Sequence, residues 1–209
     1  MKKGISLFLF IIITFCFCGC LSFKDTKTSN TSNNTKLETD HKVFQNIKIK
    51  NFNGKVFYGK LDNWKPLNTS IKFTEGLFFK TSEDSFLEIL FSSENEIKLC
   101  SSSELKIEKE TLIKLLDGEI TASISVSGRE KINIYASGIN IVGQSGRFKV
   151  LYSKEKNQGE VVVKNGLAEV GYIDSKETTN KLTGFYKIVF NQDSLGSPTQ
   201  VSMKNYDWK

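Results

Sequence analysis

The side chains that could do acid–base, nucleophilic or metal chemistry are few, and their spacing does not gather them. The sole histidine, His41, ends a tract too polar to be preorganised, so a Ser/His/Asp or Cys/His arrangement would have no fixed base. Two carboxylate pairs, in Glu94-Asn95-Glu96 and Glu108-Lys109-Glu110, put their i and i+2 members on one face of a strand. A calcium ion or an acid/base pair would need that arrangement, but lysines flank both pairs and a solvated face is the expectation. Gly143-Gln144-Ser145-Gly146 has the glycines of a phosphate loop without the Lys-Ser/Thr that must follow, so these glycines are assigned to tight turns. The four cysteines, Cys16, Cys18, Cys20 and Cys100, show no zinc spacing. The sequence therefore predicts no catalytic residue, no metal site and no cofactor, and the chain is not expected to be an enzyme.

The elements around these residues begin with an export signal. Met1-Lys2-Lys3-Gly4 is a short basic start, and Ile5 to Phe17 is an apolar run too short to span a bilayer comfortably. The quartet Phe17-Cys18-Gly19-Cys20 resembles a bacterial lipobox, with Phe17 where leucine is usual. The resemblance implies a lipoprotein signal peptide over residues 1–19, cleavage after Gly19 and a lipid on Cys20. An uncleaved N-terminal anchor is the alternative, and it places the body of the protein on the same side of the membrane. The expected localisation is the bacterial cell envelope, lipid-anchored and facing the periplasm or the surface, with the membrane itself a partner through the lipid.

Residues 20–41 follow as the acylated cysteine and a tether rich in Ser, Thr, Asn and Lys, with too few apolar groups to offset the entropy of ordering. Loss of the leader removes Lys2 and Lys3 and no acid, leaving 27 basic and 23 acidic residues, a net +4. That balance suits a soluble surface and carries no dense basic block for nucleic acid. With Cys20 acylated, only Cys100 remains as a thiol, so residues 42–209 must hold together by packing alone. A structural strand position is expected for Cys100.

Residues 42–209 read as one domain of closely spaced strands. Phe86 to Phe91 is apolar on both faces apart from Glu88, which suggests a central strand. Ile132/Ile134, Ile139/Ile141, Phe148/Val150/Tyr152 and Val161/Val163 alternate with period two. Asn165-Gly166 and Asp117-Gly118 carry the signal of type I′ hairpin turns. Ser103 to Leu116 admits a helix, but the neighbouring strand rhythm favours strands. Turn signals every 8–12 residues with little helix predict an all-β fold. The expected architecture is a β-sandwich, or a rolled, solenoid-like antiparallel or mixed sheet of many short strands.

The order of several short motifs resembles the FecR domain family. Gly54-Lys55-Val56, Trp64, Glu75-Gly76, Phe86-Leu87-Glu88-Ile89 and Leu116-Asp117-Gly118-Glu119-Ile120 match its earlier steps. Ala136 to Val150 (with Val142, Gly143, Phe148 and Val150), Val161 to Ala168 and Leu182-Thr183-Gly184 match its later ones. Gly138-Ile139 stands at the family's usual proline, and Gln144 to Arg147 looks like an insertion. The resemblance implies an extracytoplasmic β domain that meets other envelope proteins or ligands. Well-known members also carry a cytoplasmic sigma-regulator segment. Only Met1 to Gly4 precede the apolar run here, so that role is not expected to carry over.

The expected function is therefore a membrane-tethered lipoprotein whose FecR-like domain is a non-catalytic protein-interaction or scaffold module, meeting another envelope protein through edge strands or loop surfaces. A signalling component that relays a partner's state is the alternative, and a glycan-binding envelope protein a weaker one. The aromatics Phe52, Phe57, Tyr58 and Trp64, with Tyr206 and Trp208, are the suggestive surface candidates. Metabolic labelling with palmitate should mark the chain in cells and should vanish in Cys20→Ala; label that persists in that variant would refute the anchor.

Overall fold

A computed structural model of the chain describes residues 42–61, 63–68, 71–92, 94–127, 130–175 and 179–208, all within the compact unit Asp40–Lys209. The leader, the proposed lipid site Cys20, the tether, His41 and Arg129 lie outside the described residues. The chain is almost wholly strand, in keeping with the all-β expectation. In chain order the strands are β1 (Val43–Phe44), β2 (Ile47–Asn53), β3 (Val56–Lys60), β4 (Asn63–Pro66), β5 (Phe73–Thr74), β6 (Leu77–Thr81), β7 (Phe86–Phe91) and β8 (Asn95–Leu99). They continue as β9 (Glu104–Lys109), β10 (Leu112–Ile124), β11 (Ile132–Ala136), β12 (Ile139–Ser153), β13 (Gln158–Tyr172), β14 (Thr179–Thr183), β15 (Tyr186–Asn191) and β16 (Thr199–Gln200). One short 3-10 turn, Met203–Asn205, follows. The segment Ser103–Leu116 forms β9, a turn at Glu110-Thr111 and the start of β10, so the strand reading holds there.

Three strands are long, and each serves two neighbourhoods. The first part of β10 pairs with β9 and, in parallel, with β11; from Gly118 onward it pairs with β12 and β8. β12 lies beside β11 over Ile139–Gly143 and beside β10 over Gly146–Tyr152. β13 lies beside β15 at its start and β14 at its end, and it follows β12 along its whole length. The sheet thereby divides into two halves. The first runs β4-β3-β6-β9-β10-β11-β12-β13-β14, and the second β2-β7-β8-β10-β12-β13-β15-β16. One apolar cluster contains the inward residues of both: Phe79, Leu105, Ile113 and Ile134 from the first, Leu87, Ile97, Ile120 and Val150 from the second. The sheet folds over on itself, and the two layers share one core.

This corrects the hairpin reading at Asp117-Gly118 and Asn165-Gly166. Neither step reverses the chain; both lie inside continuous strands, β10 and β13. Gly118, Gly146 and Gly166 have φ of +89°, +85° and +85°, a left-handed conformation that re-aims a strand without ending it. Gly146 and Gly166 are registered opposite each other, and a Cβ on either would lie 2.1 Å from a backbone oxygen of the other strand. Gln144 to Arg147, which looks like an insertion in sequence, is this corner, with register shifts at Gly143/Ser145 and Arg147/Phe148. The type I′ hairpin turn does occur, at Ser137-Gly138 between β11 and β12, where φ is +45° and +79°.

At three of the positive-φ glycines the backbone N–H that follows donates to a side-chain oxygen. After Gly54, Lys55 N donates to Ser85 Oγ at 2.9 Å. Following Gly118, Glu119 N donates to Ser103 Oγ at 2.8 Å. Beyond Gly146, Arg147 N donates to Asn165 Oδ1 at 2.7 Å. The recurrence is physical: a kink removes a ladder partner, and a buried N–H left without one is costly. In Gly118→Ala the new Cβ would lie 2.2 Å from Ser103 Oγ. Together with the left-handed φ this should cost about 2–4 kcal/mol. Ser103→Ala should cost about 1–3 kcal/mol by orphaning the Glu119 N–H. Urea denaturation measures both, and losses below about 0.5 kcal/mol would show that the corner is not built this way.

Candidate interaction surface

The residues singled out for chemistry are dispersed. Glu94 accepts a hydrogen bond from Ser127 Oγ at 2.9 Å, Glu96 pairs with Lys50 at 2.6 Å, and Glu108 pairs with Lys106 at 2.8 Å. Glu110 sits in the turn before β10. Among the described residues no group of three or more His, Cys, Asp or Glu side chains is placed to hold a metal ion. Asn95, between the two carboxylates of its motif, is buried; its amide donates to Glu130 O at 3.0 Å and its Oδ1 accepts from Ser125 N at 3.1 Å.

Cys100 follows directly on β8 and is half-buried. Its thiol donates to Glu119 Oε1 at 3.3 Å and lies 4.0 Å from Thr121 Oγ1. Burial, reinforced by the Glu119 carboxylate, pushes the thiol up to about 11, so it stays protonated and is a poor nucleophile at neutral pH. The expected strand position is missed by one residue, since β8 ends at Leu99.

The outer face of the first half-sheet is more suggestive. Register sets one row across nine strands: Trp64, Gly59, Phe78, Lys106, Lys114, Tyr135, Asn140, Gly171 and Thr179. Paired residues share a face, and Lys114 and Thr179 in this row are exposed, so the row points away from the core. Trp64 meets Phe78 edge-on, with centroids 6.3 Å apart, and the Lys106 ammonium lies 5.5 Å from the Phe78 ring. Phe57 joins them, registered with exposed Lys80 and Pro66. Beside this row a groove of about 750 Å³ is lined by Leu112, Lys114, Tyr135, Glu104, Asp117 and Lys154. Tyr58 and Phe52, in the same sequence cluster as Trp64, instead pack against the core. Phe78 and Tyr135 were not legible as surface residues, since an isolated aromatic in a strand is more often core.

The outer face of the second half-sheet is partly covered. Its central row is Glu88, Lys98, Thr121, Lys149, Val162 and Lys187. Lys149 is only 5% exposed and Val162 is fully buried, although the pleat turns both outward. The Trp208 ring lies 5.5 Å from both the Lys149 and the Lys164 ammonium, and Lys149 is also paired with Glu119. The Lys187–Glu160 pair, at 3.1 Å, borders the same patch, and the bond to Glu160 holds the Lys187 ammonium above its ordinary range. Burial raises the Tyr206 hydroxyl likewise, with Glu160 adding to it.

Two free edges are blunted. β2 carries exposed Lys48 and Lys50 and a register shift between Ile49 and Asn51, and β4 ends in Pro66, which has no N–H to offer. Such features discourage an added strand.

No protein-family model matches the chain, and no curated protein matches it. Two crystal structures of a "putative anti-sigma factor" from Parabacteroides distasonis ATCC 8503 are similar in fold, each with a TM-score of 0.49 and 14% identity. Each match covers 61% of this chain and 62% of that one, so the chain matches less than two thirds of that protein's length. A likeness this distant assigns no activity or partner.

Because Cys100 is raised from an ordinary 9.0 to about 11, the folded state keeps a proton there that the unfolded chain releases. The stability contributed by this thiol should therefore be full below pH 9 and should be lost as pH rises from 9 to 11. Alkylation of Cys100 by iodoacetamide should be at least about tenfold slower at pH 8 in the folded chain than in urea. Equal rates in the two states would refute the protected thiol.

Proposed function

We propose that this chain is a lipid-tethered, FecR-like envelope protein whose β domain is a non-catalytic interaction module, and that it meets its partner through the outer face of its first half-sheet. The observation that carries this reading is the Trp64–Phe78–Lys106–Lys114–Tyr135 row with the groove beside it. Large aromatic rings supply most of the contact energy in protein recognition, and charges around them set register and orientation. The rigid nine-strand platform lowers the ordering cost of contact, because the rings are already held by cross-strand neighbours.

Contact by the sheet face is favoured over contact by an added edge strand. The blunted β2 and β4 edges argue against strand addition at those positions, which narrows the expectation drawn from sequence. The lipid at Cys20 would confine the module to a membrane surface, and the tether would give it reach. The ordered set of FecR-like motifs supports an extracytoplasmic place for the domain.

A photocrosslinking amino acid at Tyr135, expressed in cells, should give a discrete adduct with one envelope protein. The double variant Trp64→Ala/Phe78→Ala should reduce that adduct at least about tenfold while leaving the melting curve nearly unchanged, since hot-spot aromatics carry most of the binding free energy. An adduct indifferent to these substitutions would overturn the assignment of this face.

A further inference from the structure

We propose that Ser202–Trp208 is a releasable strap: seated, it seals Lys149 and Val162 on the outer face of the second half-sheet, and lifted at Val201 it bares them while both half-sheets stay folded. The inference does not depend on the function proposed above, because it concerns the opposite face and is read in the purified chain.

Three observations point the same way. The first is burial on the wrong side of a sheet. Lys149 and Val162 are registered partners on an outward row, yet one is nearly and the other fully buried. Trp208 lies over this patch, its ring between Lys149 on β12 and Lys164 on β13, with Tyr206 beside it at a centroid distance of 6.4 Å. The second is how the segment is attached. Val201 N donates to Phe185 O at 2.9 Å, tying the start of the segment to the sheet. Beyond it, Asn205 N donates to Ser202 O and Tyr206 N to Met203 O, both within the segment. Among the described residues no strand follows β16, so the segment is not part of a ladder and can lift without unzipping one.

The third is an imbalance in the seat. Trp208 Nε1 is buried and has no hydrogen-bond partner, a penalty that lifting removes. Lys149 keeps its Glu119 partner when the strap lifts and regains water, so lifting strands no buried charge. Seated and lifted states therefore lie closer in free energy than folded and unfolded ones, as expected of a segment that opens by itself. A depression of about 570 Å³ beside the seat, floored by Leu151 and Val189, is continuous with the row that the strap masks.

The test uses the full chain carrying Trp64→Phe, so that Trp208 is the reporting indole, compared with the same chain ending at Val201. In the longer chain Trp208 emission should be blue-shifted, with acrylamide quenching several-fold below that of a free indole. Lys149, followed by mass spectrometry during labelling with a water-soluble N-hydroxysuccinimide ester, should be slow there. In the shortened chain its labelling should rise roughly tenfold, towards that of exposed Lys48, with circular dichroism and melting nearly unchanged. Trp208→Ala should give the same rise in labelling. The amides of Asn205 and Tyr206 should exchange at least about a hundredfold faster than that of Val150, because local opening precedes global unfolding. Free quenching of Trp208 would show that no strap is seated. Unfolding of the shortened chain, or strap amides that exchange only as fast as Val150, would make the segment part of the core and overturn the proposal, as would unchanged Lys149 labelling in a folded short chain.

Discussion

The structure depends on the ladder between β12 and β13, which runs from Ile139↔Tyr172 to Ser153↔Gln158 through both layers, with two register shifts at the corner. A two-stranded ribbon of that length cannot stay flat over a core about 10 Å thick, so it must turn a corner, and at a corner the strands crowd. Gly146 and Gly166 face each other there because no Cβ fits between them. Once the ribbon has bent, its two ends belong to two layers. β10 must bend with it, and the remaining strands add outward from these three. The shared core follows from the bend.

Strand alternation and the all-β class were legible from residue types, because period-two burial needs only one apolar side of each strand; β7, expected to be central, lies one strand in from the β2 edge. The corners were not, and the reason is geometric. A two-residue hairpin at Asn165-Gly166 would pair Val163 with Ala168, placing both on one face. A kink at Gly166 within one strand also leaves Val163 and Ala168 on the buried face. Leu115 and Ile120 stand in the same relation around Asp117-Gly118. The two conformations impose the same apolar pattern, and only the partner strands distinguish them. Those partners lie far away in sequence, as with Glu119 and Ser103, or Arg147 and Asn165.

The surface shows a similar division. Trp64 stood out in sequence as one of a cluster of aromatics near the start of the domain. Phe78 and Tyr135 did not, because nothing local says which side of a strand will face the core. Register across nine strands brings them into one row, and register is a property of the whole sheet. Trp208 was visible as a terminal aromatic, but its seat on Lys149 and Lys164 required the second layer to exist first.

The sharing of β10, β12 and β13 between layers has a kinetic side. Neither layer holds a complete set of strands until the chain is available as far as β13, and β2 finds its partner β7 only across the intervening hairpins. Closure entropy is spent before most of the native contacts reward it, which is the signature of a slow-folding, high-contact-order topology. Nor can one layer melt while the other persists, since both would lose the same three strands. Calorimetry should find a single unfolding transition, with equal calorimetric and van't Hoff enthalpies, in a molecule that has two layers but one cooperative unit.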